Sequence, residues 1–177
     1  MKNQRRAFLQ VVTFLLVFCL AAGMVGMTVT AITIEADEAP QIYTSGDYRY
    51  LQTEKDEAIL HVYSGSASDL LIPDQLDGHT VIGIGCTLLM GIKLYSMVFK
   101  NNEELTSVTI PDSVLFINDY AFEGCTGLTI VIIPASVAII GEEAFTGCPN
   151  LTFTVVEGSY AEQYAKEYGI PYVLTAE

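Results

Sequence analysis

The feature that most constrains how this chain can fold is a 23-residue unit that occurs twice in succession, at residues 105–127 and 128–150. The two copies read LTSVTIPDSVLFINDYAFEGCTG and LTIVIIPASVAIIGEEAFTGCPN, and they align without a gap. Most of their apolar residues coincide, and so do the proline, one glycine and the cysteine. A fixed period of about 20–29 residues indicates a solenoid, in which each repeat forms one coil that packs only on its neighbours.

Each unit predicts one strand, a turn, and a second inward-facing stretch on the far side of the coil. In L-x-x-V-x-I the last inward positions alternate, as a half-buried strand requires, and the proline that follows has no N–H to continue the ladder. One unit alone cannot cover its apolar positions, whereas stacked units cover one another. We therefore expect about four coils, with strands in a parallel ladder about 4.8 Å apart.

The pattern LxxVxIPxxVxxIxxxAFxGCxx resembles the BspA-like leucine-rich repeat, which occurs mostly in bacterial cell-surface and secreted proteins. The resemblance spans roughly residues 46–173. It implies an α/β-type, mainly β, right-handed solenoid with a parallel β ladder, an N-terminal β-hairpin cap and a C-terminal helical cap. It also implies surface recognition or adhesion in place of a reaction, without a cofactor.

Residues 1–31 have the pattern of an export signal. MKNQRR supplies a positive start, and no further charge occurs before Glu35. Val29 and Ala31 suit the −3 and −1 positions of a cleavage site after Ala31. The alternative is an uncleaved signal-anchor helix, because about 20 apolar residues would span a bilayer. Arg5-Arg6 also resembles a twin-arginine export signal, so the sequence does not decide the export route. In each case the chain is predicted to be secreted or at the cell surface.

The remainder of the chain divides by its local patterns. We expect a flexible spacer at 32–46 and a leucine-rich repeat domain at 47–173, which comprises a hairpin cap (47–69), degenerate first coils (70–104), two regular repeats (105–127 and 128–150) and a C-terminal cap (151–173). The spacer lacks periodicity and contains proline and glycine. The hairpin is predicted from two β-prone segments that flank the polar turn TEKDE.

Residues 86–104 depart from the repeat. Val98-Phe99 occupies the Ala-Phe position, but Asn101 and Asn102 stand where the regular units have glycine and cysteine. The spacing before Val98 is also too short for a full coil. We therefore expect a shortened or distorted coil here.

The C-terminal cap is predicted to contain a short helix from Tyr160 to about Tyr168. Ser159 and Glu162 form a capping box, and Gly169 suits the first residue after a helix. Tyrosines recur along this helix every four residues. We expect them to pack over the last coil, and a binding stripe is the alternative.

Charge limits the class of partner. The whole chain has a formal net charge of −13, and without residues 1–31 its five bases stand against all 21 acids, which gives −16. Such a surface repels phosphate backbones and anionic lipids, so nucleic acid is not expected as a partner. The chain is expected to contact a membrane only through its N-terminal segment, and only if that segment is not cleaved. The simpler explanation of the net negative charge is solubility. The more specific one is attraction of a basic partner.

No pattern of catalytic or metal-binding residues is present in the sequence. His61 and His79 have no cysteine or carboxylate at metal-ligand spacing, and no serine or cysteine lies in a nucleophile motif. We therefore predict neither a metal site nor an enzyme.

Cys125 and Cys148 share one repeat position and should stack on adjacent coils. Their Cα atoms would be within disulfide range, but their Cβ vectors would run parallel, which favours two buried thiols. A disulfide is the alternative. Cys86 has no partner by pattern.

The outward positions of the ladder suggest where a ligand would bind. Aligning the LxxVxI openings places Ile130, Ile132, Phe153 and Val155 together on the open face. Exposed apolar patches of this kind tend to mark interaction sites. The alternative is that the terminal segment or the N-terminal spacer folds over them.

A second set of apolar residues, Leu115, Phe116 and Ile139, is predicted on another side of the coil and could support self-association. The leading functional hypothesis is a non-catalytic recognition or adhesion module that binds a protein or glycan at the cell surface. The alternative is a structural or self-associating protein of the cell envelope.

Overall fold

The computed structural model describes residues 41–85 and 97–175. Its repeats form a mainly β, parallel solenoid of about five turns with one short helix near the C-terminus. This confirms the predicted class of fold, with one turn more than expected. The export signal, the first nine residues of the spacer and Cys86 lie outside the described residues.

Within residues 41–85 and 97–175, two sheets run along the solenoid. The first, here the ladder sheet, has five parallel strands, which in spatial order are β4 (Asp69–Leu71), β7 (Ser107–Thr109), β9 (Ile130–Ile133), β11 (Thr152–Val156) and β12 (Tyr172–Thr175). The second, here the side sheet, has seven strands: β1 (Ile42–Ser45), β2 (Tyr48–Gln52), β3 (Glu57–Tyr63), β5 (Gln75–Leu76), β6 (His79–Ile84), β8 (Phe116–Ile117) and β10 (Ile139–Ile140). The helix α1 spans Tyr160–Tyr168.

The regular repeats pair at their sequence period. Val108 lies opposite Val131 in β7 and β9, 23 residues apart, and both side chains are buried. Pro111 and Pro134 follow the strands, as the pattern predicts. The coils thus cover one another's apolar positions, and the buried residues form one continuous core along the solenoid.

A column of stacked phenylalanine rings runs through this core. Phe99, Phe122 and Phe145 occupy the same position in successive coils. The ring centroids of Phe99 and Phe122 are 4.8 Å apart at 12°, and those of Phe122 and Phe145 are 5.0 Å apart at 5°. The Ala-Phe position predicted for Val98-Phe99 is therefore confirmed.

The turn after Phe99 shows how asparagine replaces the repeat's glycine and cysteine. Asn101 has φ 60°, which is close to the φ of 72° at Gly124. Asparagine tolerates this left-handed conformation better than most side chains. The side-chain oxygen of Asn102 accepts hydrogen bonds from the backbone N–H groups of Glu104 and Leu105, each at 3.2 Å. The described part of this segment therefore keeps the repeat's turn, and the expected shortening falls on residues 86–96, outside the described residues.

The predicted hairpin is present as β2 and β3, which pair antiparallel. The spacer prediction is wrong for residues 42–45, because they form β1 and pair with β2. The carboxylate of Asp77 helps to hold this strand in place. It accepts hydrogen bonds from Ser45 Oγ at 2.7 Å and from the Tyr50 hydroxyl at 3.1 Å. A contact across 32 residues fixes β1, and local composition does not reveal it.

The C-terminal cap follows its sequence signals and then adds a strand. Ser159 Oγ accepts a hydrogen bond from the Glu162 N–H at 3.2 Å, and Gly169 ends the helix with φ 67°. Both are the predicted caps. After the helix, residues 172–175 form β12, which extends the ladder sheet and was not predicted.

Candidate functional site: the open face of the ladder sheet

The outward side chains of the ladder sheet form two rows that cross the strands. The first row contains Asp69, Ser107, Ile130 and Thr152, and the second contains Leu71, Thr109, Ile132, Thr154 and Val173. Neighbouring residues in a row lie on adjacent strands, so their side chains are in contact range. The face is therefore a continuous surface built from five coils.

Two of the four residues predicted for this face are on it. Ile130 is 45% exposed and Ile132 is 40% exposed. The prediction is wrong for Phe153 and Val155, which are fully buried.

The cause is a slip of one residue in β11. Phe153 lies opposite Val131 and Val155 opposite Ile133, so the spacing is 22 residues at this strand. Because side chains alternate between the faces of a strand, one residue of slip turns every side chain to the other face. Thr152 and Thr154 thus point outwards. The sequence carried a signal for this, since TFTVV alternates threonine with Phe153 and Val155.

Two exposed apolar residues of the face were missed from the sequence. Leu71 in β4 is 71% exposed and Val173 in β12 is 59% exposed. Leu71 lies between buried Leu70 and Ile72, which is the alternation of a strand with one buried side. We call Leu71, Ile130, Ile132 and Val173 the open-face patch.

Neither segment expected to cover this patch does so where the structure describes it. Residues 172–175 extend the edge of the ladder sheet, and residues 42–45 belong to the side sheet. Thr109 and Thr154 lie between the apolar members of the second row. The patch therefore consists of large apolar side chains separated by threonines.

Several polar side chains next to the patch form hydrogen bonds within the protein. The hydroxyls of Thr106 and Thr129 each donate to a backbone carbonyl of the preceding coil, Ser68 O and Thr106 O, at 3.0 Å. Asp69 accepts a hydrogen bond from Ser107 Oγ at 2.7 Å. Asp69 is the one charged residue in the two rows and gives that corner of the face a negative charge.

The second predicted set lies at the side sheet, with Phe116 in β8, Ile139 in β10 and Leu115 directly before β8. Leu115 is 49% exposed and Ile139 is 59% exposed, whereas Phe116 is half-buried. Phe116 pairs with Gly83 on one side and with Ile139 on the other. We call Leu115 and Ile139 the lateral patch.

The two repeat cysteines are free thiols. The thiol of Cys125 donates to Phe99 O at 3.0 Å, and that of Cys148 donates to Phe122 O at 3.2 Å. Cys125 is buried as predicted, but Cys148 is half-buried. The neighbouring thiol of Cys148, together with burial, raises the pKa of the Cys125 thiol.

Within the described ranges, no group of three or more potential ligands is arranged to hold a metal ion. His79 Nδ1 lies 3.1 Å from a single carboxylate oxygen, that of Asp56. Burial lowers the pKa of His61. No helix in residues 41–85 and 97–175 is long and apolar enough to cross a bilayer.

Comparisons with known proteins agree with this architecture. Residues 92–165 match the family model of the BspA type leucine rich repeat region (6 copies). No curated protein matches the sequence. Among solved structures, a leucine rich cell surface protein from Faecalibacterium prausnitzii A2-165 is 31% identical with a TM-score of 0.52. That match covers 66% of this chain but 30% of the other protein, so this chain spans less than a third of its length.

Two further structures match with lower identity. A leucine-rich repeat protein from Bacteroides ovatus ATCC 8483 is 20% identical with a TM-score of 0.44, and the match covers 76% of this chain and 41% of that one. The leucine rich repeat protein of T. pallidum is 19% identical with a TM-score of 0.37, and the match covers 64% of this chain and 71% of that one.

Proposed function

Because residues 92–165 match the family model of the BspA type leucine rich repeat region, we propose that this protein is an extracytoplasmic recognition or adhesion module that binds a protein or glycan ligand without catalysis. The observation that carries the proposal is the open-face patch, which presents four large apolar side chains on the outer side of the ladder sheet, two of them in the regular repeat 128–150. Apolar patches of this kind are characteristic of interaction sites. The export pattern of residues 1–31 and the cell-surface description of the F. prausnitzii relative support the location.

The test is a double substitution, Ile130→Asp with Ile132→Asp, in the middle of the patch. Complete burial of an isoleucine contributes about 1.5–3 kcal/mol, so two half-exposed ones contribute roughly 2 kcal/mol when a ligand covers them. We expect the double variant to bind its ligand at least about tenfold more weakly. Binding is measured on a panel of immobilised extracellular proteins and on a glycan array.

Ile139→Asp is the matched control, because Ile139 is equally apolar and more exposed but lies on the side sheet. It should leave binding to the panel unchanged. Both proteins must retain the wild-type thermal unfolding curve. If the double variant and the wild-type protein bound every probe of the two panels equally, the open face would not be the binding surface.

The lateral patch favours a second candidate function, a structural protein of the cell envelope that associates with its own copies. Leu115 and Ile139 are both exposed; Ile139 lies in β10, and Leu115 directly precedes the adjacent strand β8. Sedimentation at increasing concentration separates the two candidates. Self-association that is lost in Ile139→Asp supports the second one, and a strict monomer removes it.

A further inference from the structure

A cleft lies at the C-terminal end of the solenoid, between the last Ala-Phe-x-Gly-Cys turn and helix α1. Its volume is about 360 Å³, which is within the usual range for ligand pockets. Residues of the turn form one wall, among them Glu142, Phe145 and Leu151, and Tyr164, Tyr168 and Ile170 form the other. This cap cleft is separate from the open face, and none of its lining residues belongs to the open-face patch.

The floor of the cap cleft is apolar and its helical wall is held in place. Phe145 and Leu151 are buried. Tyr164 is buried too, and its hydroxyl donates to the backbone oxygens of Gly141 at 3.0 Å and Glu142 at 3.2 Å. These hydrogen bonds tie the helix to the turn. The cleft is therefore part of the folded cap, and its walls are positioned before any ligand arrives.

Tyr168 provides an aromatic surface at the mouth of the cleft. Its ring stacks on that of Tyr164, with centroids 4.3 Å apart and an angle of 25°. Tyr168 remains 44% exposed. A buried tyrosine thus supports a partly exposed one, so the outer ring can receive a flat group without a change in the fold.

The surroundings of Tyr168 are acidic. Desolvation raises the pKa of Tyr168, and the carboxylates of Glu142 and Glu167 raise it further. None of the described residues that line the cleft is basic. Lys166, on the same helix, is paired with Glu162 at 2.6 Å and lies 5.8 Å from the ring centroid of Tyr172.

We propose that the cap cleft binds an arginine side chain presented by a peptide segment of a protein partner. The guanidinium is planar and stacks on aromatic faces, and it also forms paired hydrogen bonds with carboxylates. Tyr168 and Glu142, which both line the cleft, supply these two partners. The acidity of the chain adds long-range attraction for such a segment and disfavours anionic ligands.

The probe is a short peptide with one arginine between glycines, acetylated at its N-terminus and amidated at its C-terminus. It is compared with peptides that carry lysine, citrulline or glutamate at the same position. Citrulline keeps the shape of arginine and removes the charge. We expect the full chain to bind the arginine peptide about tenfold more tightly than the citrulline peptide, and to show no binding of the glutamate peptide. The lysine peptide should fall between them.

Two substitutions have matched controls in the same cap. Glu142→Gln and Tyr168→Ala should each weaken binding of the arginine peptide by about fivefold to tenfold. Glu143→Gln and Tyr160→Ala change an exposed acid and an exposed tyrosine that do not line the cleft, so they should leave binding unchanged. All four side chains are exposed, and circular dichroism checks that each variant folds.

Two outcomes would overturn the proposal. One is equal binding of the arginine and citrulline peptides, which would show that charge is not recognised. The other is saturable binding of a neutral oligosaccharide that Tyr168→Ala abolishes, which would make the cleft a glycan site. The Ile130→Asp, Ile132→Asp variant should still bind the arginine peptide, so failure of the open-face proposal and failure of this one are distinguishable.

Discussion

The ring of Phe116 occupies the space that a side chain at Gly83 would fill. A Cβ atom at Gly83 would overlap Cζ of that ring. The two residues are paired in β6 and β8, so the side chain of one coil covers the backbone of the coil before it. This explains why Phe116 is half-buried although its neighbours Leu115 and Ile139 are exposed.

Replacing Gly83 by alanine should push the ring towards solvent. We expect Gly83→Ala to lower the free energy of unfolding more in the wild-type protein than in the Phe116→Ala variant. The difference, which is the coupling free energy, should be about 1 kcal/mol. Urea unfolding of the four proteins in the double-mutant cycle measures this. Additive effects would show that the ring does not depend on the glycine.

Truncation of Phe153 should affect stability far more than truncation of Thr154, because β11 presents the two side chains to opposite faces of the sheet. Phe153 is fully buried, with its ring centroid 4.9 Å from that of Phe145. We expect Phe153→Ala to lower the free energy of unfolding by about 3–5 kcal/mol. Thr154→Ala should change it by less than about 0.5 kcal/mol. The reverse order in urea unfolding would mean that the strand has the register of the regular repeats.

The two repeat cysteines should differ in reactivity. Cys148 is half-buried and lines the cap cleft, whereas Cys125 is fully buried and its pKa is raised by its neighbour Cys148 and by burial. Because the thiolate is the reactive form, iodoacetamide should label Cys148 in the folded protein and leave Cys125 unmodified. Digestion and mass spectrometry of the native and the urea-unfolded protein give the two labelling patterns. Equal native labelling of both thiols would contradict the packing described for Cys125.

Acid should weaken the C-terminal cap through Glu162. The hydrogen bond from Lys166 lowers the pKa of Glu162 below the ordinary 4.5, and the N–H of Gly158 contributes as a second donor. A carboxyl with a lower pKa in the folded state stabilises the fold above its unfolded pKa, and this stabilisation is lost as the pH falls through the folded value. Glu162→Gln should therefore destabilise the protein at neutral pH. The difference from wild type should shrink when unfolding is measured at about pH 3.

A difference between wild type and Glu162→Gln that stayed constant over this pH range would assign the role of Glu162 to packing alone. Glu143→Gln is a suitable control, because Glu143 is exposed and outside the helix.

The periodic part of the fold could be predicted from the sequence, because its contacts recur at one spacing. The pairing of Val108 with Val131 and the stacking of Phe122 on Phe145 both follow from the 23-residue period. The helix of the cap could also be predicted, since Ser159 and Gly169 act on backbone groups within a few residues.

The parts that were mispredicted depend on breaks in that period or on distant contacts. At β11 the spacing changes by one residue, and this single change moves Phe153 and Val155 from the expected site into the core. At β1 the strand depends on the hydrogen bonds of Ser45 and Tyr50 to Asp77, which lies in a later turn. For the candidate site, Ile130 and Ile132 could be placed because they lie in a regular repeat, and Val173 could not because β12 follows the helix.

The column formed by Phe99, Phe122 and Phe145 bears on how such a chain can lengthen. Each of its rings contacts the equivalent ring of the adjacent coil at nearly the same separation and angle. A duplicated 23-residue segment inserted between two coils would meet the same ring on each side, so the core would need no redesign. Gene duplication can thus extend the open face one coil at a time, while its outward residues remain free to diverge.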